Sequence, residues 1–140
     1  MTERAFVDSN ILVYAHDRGA GARHEVARDL VLELWREGAG VISTQVLQET
    51  YVNLRRKAAR PLSIAEARGL LQDYLEWDLV VVDGATIVEA THLEERYGLA
   101  FWDALIVSAA NFSGVQTLFT EDLNHGQRYG QVEARDPFRG

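Results

Sequence analysis

The chain has 140 residues, of which 47% are hydrophobic and 25% charged, and its formal net charge is −7. These values are typical of one globular domain, so we expect residues 1–140 to form a single domain. The lack of cysteine excludes disulfides and thiolate metal sites, and no apolar run reaches the roughly 20 residues that a membrane helix needs. Because no signal-peptide pattern follows Met1, we expect a cytoplasmic protein without a membrane partner.

Short apolar runs alternate with longer helical patterns along the chain. The runs predict strands at 5–7, 41–42, 79–82 (a buried strand), 117–120 and 132–135 (an edge strand). Helices are predicted from residue 11, over 24–37, from Ser43 or Thr44 to about 59, from a capping box of Ser63 and Glu66, over 84–98 and over 100–110. This alternation predicts an α/β fold in which helices cover both faces of a central parallel sheet of about five strands.

Acidic residues follow three of the predicted strands. Asp8 comes after the first strand, Asp83 after the third, and Glu121 and Asp122 after the fourth. Ligands of such sheets bind beyond the carboxyl ends of the strands, so these acids are site candidates. Asp83 precedes Gly84, which favours a role as a helix N-cap. For Asp8, a role as the N-cap of the next helix is as good an interpretation as a role in a site. One of Glu121 and Asp122 is expected to be a solvated turn residue.

Two acids on predicted helices are candidates for the same edge of the sheet. Glu49 lies opposite the apolar stripe of its helix, which by itself favours a solvated side chain. That stripe consists of Leu47, Tyr51, Leu54 and Ala58. Asp103 interrupts the apolar run AFWDALIVSAA, where an isolated carboxylate is costly or takes up a proton. Asp103 therefore either caps this helix or is stabilised by a cation.

The negative charges of several carboxylates in one crevice must be offset by positive charge or by protonation. Two of them about 4 Å apart repel by roughly 4 kcal/mol at an effective dielectric constant of about 20. Hard divalent cations prefer carboxylate oxygens and water, so two ions would offset the charges of the acids. Such a pocket would attract phosphate, which weakens the objection that a net charge of −7 raises against a nucleic-acid partner.

Four stretches occur in the order FVDSNILVYA, STQVLQETY, LAFWDALIVSAA and LFTEDLNHGQ. They resemble the PIN-domain nucleases, and among these the VapC toxins of bacterial toxin–antitoxin pairs, over about residues 5–138. The resemblance implies a PIN-like three-layer α/β/α fold and hydrolysis of RNA phosphodiester bonds by a metal-activated water, with Mg²⁺ or Mn²⁺ as cofactor. It also implies a cognate antitoxin, which would block the site and carry a DNA-binding element, and a homodimer.

The resemblance also implies roles for individual residues. The implied catalytic and metal-binding acids are Asp8, Glu49, Asp103 and Asp122. Asn10 would support Asp8 through a hydrogen bond, and Thr120 would be the hydroxyl that accompanies Asp122. The role of Glu121 is left open. His125, the only histidine near these positions, is expected to be incidental.

Basic residues that follow Glu49 on its predicted helix are candidates for binding the RNA backbone. They are Arg55, Arg56, Lys57 and Arg60. Cations are also favoured at helix C-termini for purely structural reasons, and this interpretation is at least as good.

Other protein classes fit the sequence less well. The main alternative is a PIN nuclease that is not a toxin and that processes RNA or cuts flap DNA, although a small one-domain chain favours the toxin. A receiver-like signalling domain needs a lysine after its last core strand, whereas the only lysine is Lys57 on a mid-chain helix. A dehalogenase-like phosphatase needs a second aspartate where Asn10 stands. A non-catalytic homologue would be expected to lack one or more of the acids.

Overall fold

A six-stranded sheet forms the centre of the computed structural model, which describes residues 2–139. The strands are β1 (Ala5–Val7), β2 (Gly40–Ser43), β3 (Asp78–Val80), β4 (Thr117–Phe119), β5 (Arg128–Tyr129) and β6 (Val132–Arg135). Their order is β3-β2-β1-β4-β6-β5, and all neighbours are parallel except β5 and β6. Met1 and Gly140, the two ends of the expected domain, lie outside the described residues.

Six helices connect these strands. They are α1 (Ser9–His16), α2 (Ala22–Glu37), α3 (Thr44–Arg56), α4 (Ile64–Tyr74), α5 (Gly84–Tyr97) and α6 (Phe101–Ser113). The connections β1 to β2 and β2 to β3 run in one direction along the sheet, and the connection β3 to β4 runs back. Because parallel crossovers are right-handed, α1–α4 and α5–α6 lie on opposite faces of the sheet. The predicted three-layer α/β/α fold is confirmed.

The helices bury the middle of the sheet from both sides. β1 and β2 are buried along their whole length, which is why their sequences are continuous apolar runs rather than alternating ones. From Ala104 to Ala110 every residue of α6 is buried, so this helix forms much of the core on its face. Gly40 is required in β2 because a Cβ atom there would overlap the ring of Trp77.

Three of the predicted helix starts are confirmed by side-chain caps. Ser43 accepts a hydrogen bond from the backbone N–H of Val46 at 3.3 Å and begins α3. Ser63 and Glu66 form the predicted capping box of α4. Asp83 accepts a hydrogen bond from the backbone N–H of Thr86 at 3.0 Å, so its assignment as an N-cap is correct.

Two strands and one helix differ clearly from the sequence-based expectation in extent or in position. β3 is Asp78–Val80, an only partly buried edge strand rather than a buried one at 79–82. β6 is an inner strand, because the two-residue β5 pairs with its outer side and is too short to give a sequence pattern. α3 ends at Arg56 rather than near Ala59, because the side chain of Asp17 accepts the backbone N–H of Ala59 at 2.8 Å.

Within residues 2–139, no helix has the length and apolar character needed to cross a membrane.

Candidate active site

The edge of the sheet between β1 and β4 is the point where the connections change direction. In open α/β sheets, such a switch point leaves a crevice beyond the carboxyl ends of the strands. A cavity of about 440 Å³ is lined by the residues that follow these two strands. All four acids predicted for the site line it, namely Asp8, Glu49, Asp103 and Asp122.

Asp8 is both a helix cap and a wall of the cavity. It is 5% exposed, and its Oδ1 accepts a hydrogen bond from the backbone N–H of Ser9 at 2.7 Å at the start of α1. The hydroxyl of Thr120 donates to Oδ2 at 2.8 Å. Burial raises the pKa of Asp8 to about 7 in spite of these two hydrogen bonds, and the charges of Asp122 and Glu49 add to the rise. Asp8 therefore caps α1 and lines the cavity at the same time.

Glu49 is held on both of its carboxylate oxygens. The hydroxyl of Ser9 donates to Oε1 at 2.9 Å, and Nε2 of Gln45 donates to Oε2 at 3.2 Å. The expected apolar stripe is correct at Leu54 and Ala58, which are buried, but Leu47 and Tyr51 are only half-buried. The buried residues of α3 are Gln45, Val46, Thr50 and Leu54. Because Thr50 and Gln45 are polar, the hydropathy pattern does not reveal the buried face, and Glu49 is half-buried at its border.

Asp103 lies in the first turn of α6, but it does not cap the helix. The N-cap is Ala100, which contributes no side-chain hydrogen bond, so the capping alternative is wrong. Partial burial raises the pKa of Asp103, and the neighbouring charges of Asp122 and Glu49 raise it further. Among the described residues, no group donates a hydrogen bond to its carboxylate. Within the described residues, the carboxylate thus has neither a hydrogen-bond donor nor an ion-pair partner.

Asp122 is positioned by two residues that the sequence analysis associated with the site. Nδ2 of Asn10 donates to Oδ2 of Asp122 at 2.9 Å, and the backbone N–H of Asp122 donates to the hydroxyl of Thr120 at 3.1 Å. The expected hydrogen bond from Asn10 to Asp8 is therefore wrong. α1 carries Asn10 two residues beyond Asp8, so its side chain reaches the β4 side of the cavity instead.

Glu121 and His125 take part in structural contacts outside the cavity. The hydroxyl of Tyr14 donates to Oε1 of Glu121 at 2.6 Å, and Nε of Arg23 donates to Oε2 at 3.2 Å. The hydrogen bond to Glu121 raises the pKa of Tyr14 to about 12. Nδ1 of His125 accepts the backbone N–H of Asp136 at 3.0 Å, which fits its expected incidental role.

The four basic residues after Glu49 do not point to one place. Only Lys57 lines the acidic cavity. Arg55 lies beside the ring of Tyr51, with 5.8 Å between its guanidinium carbon and the ring centroid. Arg56 is exposed, and Arg60 lines a separate groove between the α3–α4 connection and α4.

Several cavity residues were not identified from the sequence. They are Ser9, Gln48, Val52, Asn53, Trp102 and Ile106. Gln45 was not identified either; it does not line the cavity, but it donates a hydrogen bond to Glu49. Gln45 and Asn53 stand four residues before and after Glu49, a helical spacing that places all three on one face of α3. This spacing relative to Glu49 is the feature of the sequence from which Gln45 and Asn53 could have been predicted to lie near the site.

The donor set of the cavity suits a hard divalent cation. It consists of carboxylate, hydroxyl and side-chain amide groups, with Lys57 as the one cation among the lining residues. In the observed conformation no three carboxylate or imidazole side chains within residues 2–139 are grouped closely enough to hold an ion between them. Mg²⁺ needs no such cage, because it keeps several waters and binds through one or two carboxylates. The unpaired charges and the raised pKa of Asp8 indicate a site that gains from a cation.

Comparison with known families identifies the fold. Residues 5–130 match the PIN domain family, and the chain belongs to this family. No curated protein sequence matches it significantly.

Solved structures with the same fold come from toxin–antitoxin systems. A toxin–antitoxin complex from Klebsiella pneumoniae has a TM-score of 0.67 at 22% identity, with 96% of this chain and 98% of the other covered. DNA-bound VapBC from Salmonella typhimurium has a TM-score of 0.66 at 15% identity, with coverages of 97% and 99%. A sarcin–ricin loop-cleaving VapC toxin from Mycobacterium tuberculosis has a TM-score of 0.63 at 20% identity, with coverages of 81% and 86%. At these identities the likeness concerns the fold.

Proposed function

We propose that this PIN-domain protein is a Mg²⁺- or Mn²⁺-dependent endoribonuclease and the toxin of a VapBC-like pair. The observation that carries the proposal is the meeting of four acids from four separate segments in one cavity at the switch point of the sheet. Structural stability alone does not require such a cluster, because like charges in a crevice repel one another. A cation and a phosphodiester substrate give the cluster a purpose.

Three of the acids accept hydrogen bonds from other groups of the protein, and the fourth, Asp103, does not. Thr120 and Ser9 orient Asp8, and Asn10 orients Asp122, so these carboxylates keep their positions without a ligand. Asp103 has no partner of this kind and is open to the cavity. We propose that the cation binds among Asp8, Glu49, Asp103 and Asp122, with one or two of these carboxylates as direct ligands and the others acting through its bound waters. A bound ion would supply a water of lowered pKa and would stabilise the negative charge that develops on the reacting phosphate.

The route of the RNA follows from the position of the single lysine. Lys57 lies on the rim of the cavity, at the C-terminal end of α3, where it can neutralise a substrate phosphate next to the one that reacts. Arg56 is exposed but does not line the cavity, and neighbouring positions of a helix face different directions, so we assign it no substrate contact. We assign no substrate contact to Arg60, which lines another groove, or to the half-buried Arg55.

The toxin assignment rests on the relatives in fold. Three structures with this fold are named as a VapC toxin or as toxin–antitoxin complexes, and two of these align with almost the whole of this chain. We therefore propose that a cognate antitoxin binds this protein and restrains its activity, and that the protein forms a homodimer. An RNA substrate is favoured because one of these relatives is named as cleaving the sarcin–ricin loop.

The proposal is tested with purified, antitoxin-free protein and total cellular RNA. We expect discrete fragments with Mn²⁺ or Mg²⁺, none with EDTA, and at least a hundredfold slower cleavage by Asp103→Asn, which keeps the shape of the side chain. Asp83→Asn is the matched control, because Asp83 caps α5 and does not line the cavity. Equal cleavage by both variants would assign the activity to another site or to a contaminant. Cleavage of flap DNA but not of RNA would favour the non-toxin alternative.

A further inference from the structure

Gln45 joins two of the four acidic segments through one nitrogen atom. Its Nε2 donates to Oε2 of Glu49 at 3.2 Å and to the backbone carbonyl of Trp102 at 3.1 Å. Trp102 is in the first turn of α6, directly before Asp103. The amide of Gln45 therefore links the acid on α3 to the turn that carries the acid on α6.

This link is buried and has specific chemical requirements. Gln45 is 5% exposed, so water has little access to replace its hydrogen bonds. A primary amide provides two N–H donors on one nitrogen, which is what two acceptors on opposite helices need. An ionised glutamate has no donor for either acceptor, and an apolar residue would remove the hydrogen bond that Gln45 gives to the carbonyl of Trp102.

The other oxygen of Glu49 is held as well. Ser9, the residue after Asp8, donates its hydroxyl to Oε1 at 2.9 Å. The carboxylate of Glu49 is thus held by Ser9, which begins α1, and by Gln45, which lies one turn earlier on α3 and also contacts α6. Groups that orient a metal-binding side chain in this way affect metal affinity without touching the metal.

We propose that Gln45 is a positioning residue that sets the placement of Glu49 relative to Asp103 and thereby the affinity of the cavity for a divalent cation. The inference rests on the proposed metal-dependent function. It goes beyond that function by assigning a role to a side chain that does not line the cavity. Gln45 acts through Glu49 and the backbone of α6, and it does not contact the substrate.

The test is the affinity for Mn²⁺ alone, measured by calorimetry or by the electron paramagnetic resonance signal of free Mn²⁺. Gln45→Met keeps the length of the side chain and removes both donors, so we expect about tenfold weaker Mn²⁺ binding. Gln72→Met is the matched control on the exposed surface of α4, and it should bind Mn²⁺ like the wild type. If Gln45→Met does not fold, Gln45→Ala, which leaves room for water, is expected to weaken binding in the same direction.

A double-mutant comparison separates positioning from a general structural effect. In a Glu49→Gln background, Gln45→Met should change the Mn²⁺ affinity by less than about twofold, because the group that it positions is gone. An undiminished tenfold effect in that background would overturn the positioning role, as would wild-type affinity in Gln45→Met alone. Failure of the wild type itself to bind Mn²⁺ would instead overturn the proposed function, and this inference with it.

Discussion

Thr120 donates its hydroxyl hydrogen to Oδ2 of Asp8 at 2.8 Å, which joins the residue after β4 to the residue after β1. This hydrogen bond stabilises the ionised form of Asp8 and opposes the effect of burial on its pKa. The same hydroxyl accepts the backbone N–H of Asp122 at 3.1 Å. Thr120 thus controls the protonation of one acid and the position of another.

The first prediction concerns Thr120→Val, which removes the hydroxyl and keeps the shape of the side chain. The pKa of Asp8 should rise further, because the hydrogen bond that lowers it is lost. Protons then compete with the cation at higher pH, so the midpoint of Mn²⁺ binding against pH should move up by about one unit. Thr120→Ser keeps the hydroxyl and should show the wild-type midpoint. An unchanged midpoint in the valine variant would contradict the role given to this hydrogen bond.

The second prediction concerns the stability of the metal-free protein. The pKa of Asp8 is raised from its ordinary value of 3.8 to about 7 in the folded state, so the ionised carboxylate disfavours folding. The penalty is absent below about pH 4, grows towards pH 7 and is complete above it. The asparagine in the variant Asp8→Asn can still accept the N–H of Ser9. At pH 8 in EDTA, urea denaturation should show that the free energy of unfolding of this variant is about 1–3 kcal/mol higher than that of the wild type.

The pH series provides the check on this prediction. At pH 4.5 the stability advantage of Asp8→Asn should largely disappear, because Asp8 is then protonated in the folded state. Asp29→Asn on the exposed surface of α2 is the control and should change little at either pH. An advantage of equal size at both pH values would show that the charge of Asp8 is not the cause.

The third prediction concerns Asp17, which the sequence did not single out. It is buried, and it accepts the backbone N–H groups of Gly19 at 3.1 Å, Ala59 at 2.8 Å and Arg60 at 3.2 Å. Asp17→Ala leaves these donors unpaired and should lower the free energy of unfolding by about 2–4 kcal/mol. Chemical denaturation measures the loss, with Asp29→Ala as the surface control. A loss below 0.5 kcal/mol, a rough threshold for surface positions, would contradict this role.

The fourth prediction separates the neighbours Glu121 and Asp122. Glu121→Gln should retain RNA cleavage and lower the pKa of Tyr14 from about 12, because the charged acceptor that raises it is lost. An ultraviolet titration of the tyrosines against the wild type measures this shift. Asp122→Asn should do the opposite, leaving the titration of Tyr14 nearly unchanged and abolishing cleavage. Loss of cleavage in Glu121→Gln, with the fold intact, would assign this acid to the site.

The sequence predicted the elements of the site that depend on local pattern. The rule that strand ends of a parallel sheet gather at one edge made Asp8, Asp83, Glu121 and Asp122 candidates, and the resemblance to PIN nucleases then singled out Asp8 and Asp122. Asp103 was identified because an isolated carboxylate in an apolar run is unfavourable unless it caps the helix or binds a cation. The bonding partners were not predictable in this way. Asn10 binds Asp122 rather than Asp8, and this choice depends on how α1 is rotated against β4.

The boundaries that the sequence missed have tertiary causes. β5 has two residues, and its existence depends on the turn at Gly130, where φ is 67° and a side chain would meet Asn111. The early end of α3 depends on Asp17, which is about 40 positions away along the chain. The buried face of α3 was only partly predicted because it contains Gln45 and Thr50, which hydropathy does not count as buried.

The most direct test is anomalous X-ray diffraction from crystals of the wild-type protein grown with Mn²⁺. If the cavity is a metal-dependent nuclease centre, an anomalous peak should lie within coordination distance of a carboxylate oxygen of Asp8 and of at least one other acid, at about 2.2 Å. The peak should be absent from crystals of Asp103→Asn or much weaker in them. Protein that cleaves RNA with Mn²⁺ but shows its only peak away from these four acids would contradict the assignment of the site.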